Sequence, residues 1–164
     1  MRLMMAMSAV AVLSAAAGPA TADWEYTRWS MTPEAVVAAS GGKVRQVAGR
    51  EGERVHDYDL VAQGDHRWRH FDLHAQFYFS PARELKVVRL TLKDNARCDA
   101  ARRTLQAAHG PGGQEDLKIG DHTIMTFWHW NDEATGDFIG FTDARATARL
   151  PRMCFIRLRP AGEG

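Results

Sequence analysis

The chain has 164 residues, of which 45% are hydrophobic and 25% are charged. This ordinary globular composition excludes a disordered tail, a collagen-like fibre and a multi-span membrane protein. The formal net charge of +1 shows none of the basic excess that a dedicated nucleic-acid binder usually carries, and two cysteines exclude both a disulfide-dense miniprotein and a zinc site built from cysteines alone.

Residues 1–22 have the layout of a secretory signal peptide. Arg2 supplies a positive start, an apolar run of about 15 residues follows, and Ala20-Thr21-Ala22 offers a cleavage site of small residues. The run is shorter than the roughly 20 apolar residues of a membrane-spanning helix. We therefore expect one mature domain, residues 23–164, that is periplasmic or secreted and is not stably inserted in a membrane.

The first half of this domain is predicted to hold one helix and three strands. The helix begins after Thr32, a good N-cap that Pro33 follows, and it ends at Ser40-Gly41-Gly42. Residues 45–54 are polar and indicate a loop or a weak strand. Apolar residues that recur at every second position predict strands over residues 55–62, 67–79 and 85–93.

The second half is predicted to repeat this order. Asp94 or Asn95 caps a helix that runs to about Ala108, and strands follow over residues 123–130, 137–142 and 153–159. The expected fold class is α+β, with two α-β-β-β repeats over about residues 23–94 and 95–164. One antiparallel sheet with both short helices on one face would bury both patterns.

The two cysteines are predicted to form a disulfide. Cys98 shares a helix face with Ala101 and Leu105, whereas Cys154 alternates with Ile156 along a strand. Both thiols would point to the place where the helix packs on the sheet, and an oxidising compartment favours a bridge. Two free buried thiols, or one reactive cysteine, are the alternatives.

A resemblance to a known family lies at the start of the first helix. Trp29-Ser30-Met31-Thr32-Pro33-Glu34-Ala35-Val36 resembles the Gly-Met-Thr-x-x-x-Val helix start of small exported α+β proteins. These include the outer-membrane assembly lipoprotein BamE (SmpA/OmlA) and the tandem-repeat β-lactamase inhibitory proteins. Gly110-Pro111 is similar to the glycine-proline helix stop of their repeats, whereas Ser30 stands where the family prefers glycine and no lipidation cysteine is present. The resemblance implies a binding or scaffolding role, and it carries over no catalytic or partner-contact residues.

Seven histidines raise the question of a metal site. His70 and His74 share a strand face with Asp72, but the strand rise separates the two histidines by about 13 Å. One ion cannot bind both, because metal ligands lie roughly 2 Å from the ion. His56 or His66 could add a ligand only through a strand pairing that the sequence does not reveal. A solvated polar face is the simpler interpretation, and we expect no metal site.

Catalytic motifs are also missing from the sequence. Two tryptophans are flanked in the sequence by Asp121, His122, His129 and Asp132, which could take part in catalysis. The sequence contains no Gly-x-Ser-x-Gly, no His-Glu-x-x-His and no phosphate-binding glycine loop. We expect no catalytic residues, no cofactor and no enzymatic activity.

The candidate binding surface consists of Trp128, Trp130, Arg157 and Arg159. The two tryptophans share one strand face, which could be either the core face under the second helix or an exposed aromatic stripe that contacts a partner. The two arginines alternate off the last predicted strand and could steer an acidic partner or phosphate head groups, or they could simply form a solvated face.

These features favour a non-catalytic binding or scaffolding protein of the bacterial cell envelope. Its partner would be an envelope or extracellular protein, held by a sheet face or an aromatic surface, and neither nucleic acid nor membrane is expected as a main partner. The alternatives are a periplasmic protein that binds a small ligand or a metal, and an unrecognised hydrolase.

Overall fold

The computed structural model describes residues 24–48 and 54–162, so the predicted signal peptide lies outside the described residues. Two helices, α1 (Pro33–Ala39) and α2 (Cys98–His109), are described, and a short 3-10 turn (Asn95–Arg97) leads into the second. The strands are β1 (Val44–Gln46), β2 (Arg54–Val55), β3 (Tyr58–Trp68), β4 (Phe71–Phe79), β5 (Leu85–Leu92), β6 (Gly113–Ile119), β7 (His122–Asp132), β8 (Asp137–Ala144) and β9 (Met153–Pro160).

The strands form one antiparallel sheet in the order β1-β3-β4-β5-β9-β8-β7-β6, and β2 pairs with β3. The α+β fold class is therefore confirmed. The strand count differs from the prediction, because four described strands follow α2 and the first half has the two additional short strands β1 and β2. The sheet is continuous across the two halves, since β5 pairs with β9.

α1 begins and α2 ends where capping residues predict, whereas the predicted cap Asp94 starts a 3-10 turn and α2 itself begins only at Cys98. The Thr32 hydroxyl accepts a hydrogen bond from the Ala35 amide at 3.3 Å, and α1 ends at Ser40. The Asp94 carboxylate accepts from the Ala96 amide at 3.0 Å and starts the turn that leads into α2. Gly110 ends α2 with a φ of 87°, a backbone conformation that glycine adopts without steric strain because it has no Cβ.

The predicted strand over residues 67–79 is wrong at its start. Arg69 and His70 form a tight turn, Arg69 has a φ of 53°, and Trp68 of β3 pairs directly with Phe71 of β4. Two-residue hairpin turns usually contain glycine or asparagine, and arginine and histidine are uncommon in them. The turn therefore carries no sequence signal, and the alternating pattern hides it.

The main hydrophobic core lies between the two helices and one side of the sheet. Val36 of α1 and Ala101 and Leu105 of α2 pack in the same cluster as the inward side chains of the central strands. The strand residues in this core are Val44, Ala62, Phe71, Leu73, Ala75, Phe77, Phe79, Leu85, Val88, Leu90, Leu92, Trp130, Ile139, Phe141, Cys154, Ile156 and Leu158.

A disulfide between Cys98 and Cys154 joins the start of α2 to β9, with 5.8 Å between the two Cα atoms. The pairing predicted from the sequence is confirmed. Both cysteines are fully buried in the main core, so the bridge holds the second helix to the last strand from inside the core. Such a bond is typical of proteins that fold in an oxidising compartment.

An ion-pair network lies beside the disulfide. Arg152 donates to both oxygens of Asp143, from Nε at 2.9 Å, and its Nη2 lies 3.2 Å from Oδ1 of Asp99 on α2. Asp143 is only 9% exposed, so the arginine neutralises a nearly buried carboxylate. The hydrogen bonds from Arg152 hold the pKa of Asp99 below its usual value.

Arg152→Gln should lower the free energy of unfolding at pH 7 by about 2 kcal/mol, because the nearly buried Asp143 loses its charged partner. The depressed pKa of Asp99 stabilises the fold above the unfolded pKa of about 3.9, and this stability is lost as the pH falls through the folded pKa of Asp99. The wild type should therefore lose more stability than Arg152→Gln between pH 7 and pH 3. Urea unfolding at both pH values measures this difference.

Arg45→Gln is the matched control, because Arg45 is exposed on β1 and lies outside this network. An equal loss of stability on acidification in the wild type and in Arg152→Gln would contradict the proposed role of Arg152.

Candidate binding surface

The two sides of the sheet differ in what covers them. Side chains alternate across a strand, so the neighbours of core residues point away from the helices. We call the side opposite α1 and α2 the helix-free face, and no helix in the described residues packs on it. On β5, β7, β8 and β9 the residues of this face include Arg89, Thr91, Phe127, His129, Phe138, Gly140, Thr142, Phe155, Arg157 and Arg159.

One end of the helix-free face is covered by the chain itself. Leu60, Tyr78 and Val87 form a second small core there, with Val47 and Val55 packed against it. These residues lie on or near β1 to β5, so this covering lies at the β3–β5 end of the face.

The two tryptophans of the predicted surface lie on the helix side. Trp130 is only 4% exposed, and its Nε1 donates to the Gly110 carbonyl at 2.9 Å. Trp128 is half-buried, its Nε1 donates to Gln114, and the guanidinium of Arg102 lies 5.1 Å from its ring. Trp130 is thus a core residue and cannot belong to an exposed binding stripe, which corrects that part of the prediction.

Arg157 and Arg159 lie on the helix-free face, opposite the tryptophans. The four predicted surface residues therefore cannot act as one contact area, because the sheet separates the two pairs. Antiparallel pairing places Arg89 of β5 directly opposite Arg157 of β9. The sequence prediction omitted Arg89, although its position between Val88 and Leu90 indicates that it points away from the core. The pairing of β5 with β9 is what brings it to the other two.

Aromatic rings hold the three guanidinium groups in place. Arg89 lies 4.1 Å above the ring of Phe155, and Arg157 lies 5.8 Å from the same ring. Arg159 lies 4.2 Å above the ring of Phe138. A guanidinium stacked on an aromatic face gains cation–π energy and loses conformational freedom, while the N–H groups in its plane can still form hydrogen bonds. We call these three residues the arginine cluster.

The arginine cluster has no counter-charge in the described part of the chain. None of its members forms an ion pair with a described carboxylate, and the Nε atoms of Arg89 and Arg157 are buried without a hydrogen-bond partner there. Burial lowers the pKa of Arg157, and the nearby charges of Arg89 and Arg159 lower it further. The face thus concentrates positive charge that the described residues leave uncompensated.

A stack of three ring side chains lies beside the arginine cluster. Phe127, His129 and Phe138 stack on one another, with ring centroids 5.6 to 6.2 Å apart. Phe127 lies over Gly140, since a Cβ added to that glycine would come within 2.8 Å of its ring. The glycine thus lets the phenylalanine lie flat on the sheet between β7 and β8.

The histidines and acids considered as metal ligands do not come together. His74 lies 3.5 Å from Asp65, which Lys93 contacts at 2.6 Å. His66 is buried on the helix side, where its Nε2 lies 3.1 Å from Glu25. No group of three or more His, Cys, Asp or Glu in the described ranges could hold a metal ion.

The residues weighed for catalysis are also dispersed. His129 lies on the helix-free face, whereas Asp132 lies 3.6 Å from His109 at the end of α2. His122 and Asp121 are both exposed, at and just before the start of β7. They form no arrangement of nucleophile, base and orienting acid.

No helix in residues 24–48 and 54–162 is long and apolar enough to cross a membrane. Comparison of the chain with family models, with curated proteins and with solved structures finds no match.

Proposed function

We propose that the protein is a non-catalytic binding module of the bacterial cell envelope that docks an acidic segment of a protein partner on its helix-free face. The observation that carries this proposal is the arginine cluster, which concentrates positive charge uncompensated by the described residues beside half-buried aromatic side chains. Complementary charge steers association and selects the partner.

Apolar side chains extend this surface towards the edge of the sheet. Leu117 of β6 pairs with Met125 of β7, and Ala144 of β8 pairs with Met153 of β9, so these side chains form one row across four strands. Leu117 is 55% exposed and Met153 is 37% exposed. A face that carries apolar side chains, aromatic rings and arginines has the composition that protein interfaces favour.

The expected location agrees with this role. The disulfide fits a protein that matures in an oxidising compartment, and the predicted signal peptide would direct the chain there. We propose a periplasmic or secreted protein whose partner is an envelope or extracellular protein.

The resemblance to small exported α+β repeat proteins supports the same interpretation. In our proposal the two repeats are α1 with the strands that follow it and α2 with β6 to β9. The sheet order β3-β4-β5-β9-β8-β7 would then place equivalent strands at equal distances from the β5–β9 boundary. Such a repeat arrangement builds a broad sheet face from short helices and strands, which suits a binding role.

Site-directed photo-crosslinking in the native envelope tests this function. Phe127→p-benzoylphenylalanine places an aromatic crosslinker of similar shape on the helix-free face, where Phe127 is half-exposed. We expect it to form a defined adduct with one other protein, identified by mass spectrometry together with the crosslinked segment.

Ala107→p-benzoylphenylalanine is the control, because Ala107 is exposed on α2 at the other side of the sheet. Adducts from Ala107 but not from Phe127 would contradict the assigned face. Adducts from neither position would favour a small-ligand function instead.

A further inference from the structure

We propose that Arg89, Arg157 and Arg159 form a carboxylate receptor that reads an extended segment of the partner with acidic side chains at alternate positions. This inference rests on the proposed function and adds to it the chemistry of the segment that is recognised. The receptor is assembled across the β5–β9 boundary, so residues from both halves of the chain are needed to form it.

The pairing of two like charges is the first argument. Arg89 and Arg157 lie directly opposite each other on neighbouring strands, an arrangement that is unfavourable unless an anion or another stabilising contact offsets it. Both guanidinium groups lie against the ring of Phe155, at 4.1 and 5.8 Å from its centroid. A carboxylate placed between the two guanidinium groups would remove the repulsion and accept hydrogen bonds from both.

The arginine cluster also offers hydrogen-bond donors whose orientation is restricted. The Nε–H groups of Arg89 and Arg157 are buried without an acceptor among the described residues, so a docking carboxylate would meet the terminal Nη–H groups of the two guanidinium groups. Guanidinium groups match carboxylates in planar, paired hydrogen bonds, and these are among the strongest polar contacts that proteins make. Because the aromatic rings already restrict the arginine side chains, less conformational entropy is lost when a carboxylate binds.

Spacing favours an extended acidic segment. Arg157 and Arg159 are two residues apart on β9, so their side chains leave the sheet about 7 Å from each other. Alternate side chains of an extended peptide have the same separation of about 7 Å. An acidic side chain at every second position would therefore place successive carboxylates over successive arginines.

The surroundings favour a protein segment over a polyphosphate chain. The whole chain has 21 Lys and Arg against 20 Asp and Glu, so it lacks the broad positive field that attracts nucleic acid. The cluster instead adjoins the stacked rings of Phe138, His129 and Phe127, which suit the intervening side chains of a peptide.

Fluorescence anisotropy with the purified, disulfide-bonded mature protein tests this receptor. The probe is a fluorescein-labelled (Glu-Thr)5 peptide, and (Gln-Thr)5 is the uncharged control probe. We expect the wild type to bind only the acidic peptide, and Arg157→Gln to weaken this binding by about tenfold or more. Arg157→Lys should recover part of the affinity, since it restores the charge without the planar donor pair.

Arg103→Gln is the matched control variant, because it removes one positive charge from the exposed side of α2. Its affinity should stay within about twofold of the wild type, a difference far below the 1.4 kcal/mol of a tenfold change. Equal weakening by both variants would show attraction by net charge alone and would overturn the receptor. Thermal unfolding of each variant confirms that it is folded before its affinity is compared.

Two further outcomes would also overturn the inference. One is the absence of wild-type binding to (Glu-Thr)5, and the other is binding of phosphatidylglycerol vesicles, but not of the peptide, in a way that depends on Arg157. The proposed function fails separately, when Phe127 yields no protein adduct. If that adduct forms but its yield is unchanged in Arg157→Gln, the docking function stands and the carboxylate receptor does not.

Discussion

Replacing both Cys98 and Cys154 by alanine is expected to lower the free energy of unfolding by about 4 kcal/mol. The bridge joins residues 56 positions apart, and in the chain-entropy model a loop of this length removes that much freedom from the unfolded chain. Denaturant unfolding of the oxidised protein and of the double variant measures the difference.

The reduced wild type is the control for this experiment, because it lacks the bond but keeps both side chains in the core. It should unfold close to the double variant. A decrease in the free energy of unfolding of less than about 1 kcal/mol would contradict this prediction. It would mean that α2 and β9 stay in contact in the unfolded state even without the bond.

Trp130→Ala should lower the free energy of unfolding by about 3–5 kcal/mol, the usual cost of removing a large aromatic side chain from a core. Trp130 is nearly fully buried, and the substitution also removes the hydrogen bond to the Gly110 carbonyl at the end of α2. Thermal and denaturant unfolding measure the effect.

Trp128→Ala is the matched comparison on the same side of the same strand. Trp128 is half-buried, so its loss should cost less, about 1–2 kcal/mol. A Trp130→Ala protein that keeps its stability but no longer forms the Phe127 adduct would instead make Trp130 a binding residue.

The helix ends could be predicted because their signals are local, and the disulfide could be predicted because the chain has only two cysteines. Thr32 and Pro33 specify the start of α1, and Gly110 specifies the end of α2, through backbone preferences that need no distant contact. The strand β6 was not predicted, because its sequence is mostly polar or charged and it lies exposed at the edge of the sheet. An exposed edge strand can be polar on both faces, so it lacks the alternating apolar pattern from which strands are predicted.

The candidate site could be predicted only in part, since it depends on strand order. Alternation along the last strand correctly directs Arg157 and Arg159 away from Cys154 and Ile156. Alternation along β7 does not determine which of its two faces is buried, so the sequence alone cannot decide whether Trp128 and Trp130 belong to the core or to the surface. Nothing local brings Arg89 to Arg157, which lies 68 positions further along the chain, and only the pairing of β5 with β9 does so.

The position of β9 has a consequence for how the protein folds. The strand is the last described one in chain order, yet it lies in the middle of the sheet, between β5 and β8. While the chain emerges residue by residue, β5 and β8 each have an open edge that only β9 can close. Unpaired edges of this kind promote aggregation, and strands that pair over long sequence separations fold slowly. The sheet can therefore be completed only after β9 has emerged, and until then the facing edges of β5 and β8 stay open to non-native pairing.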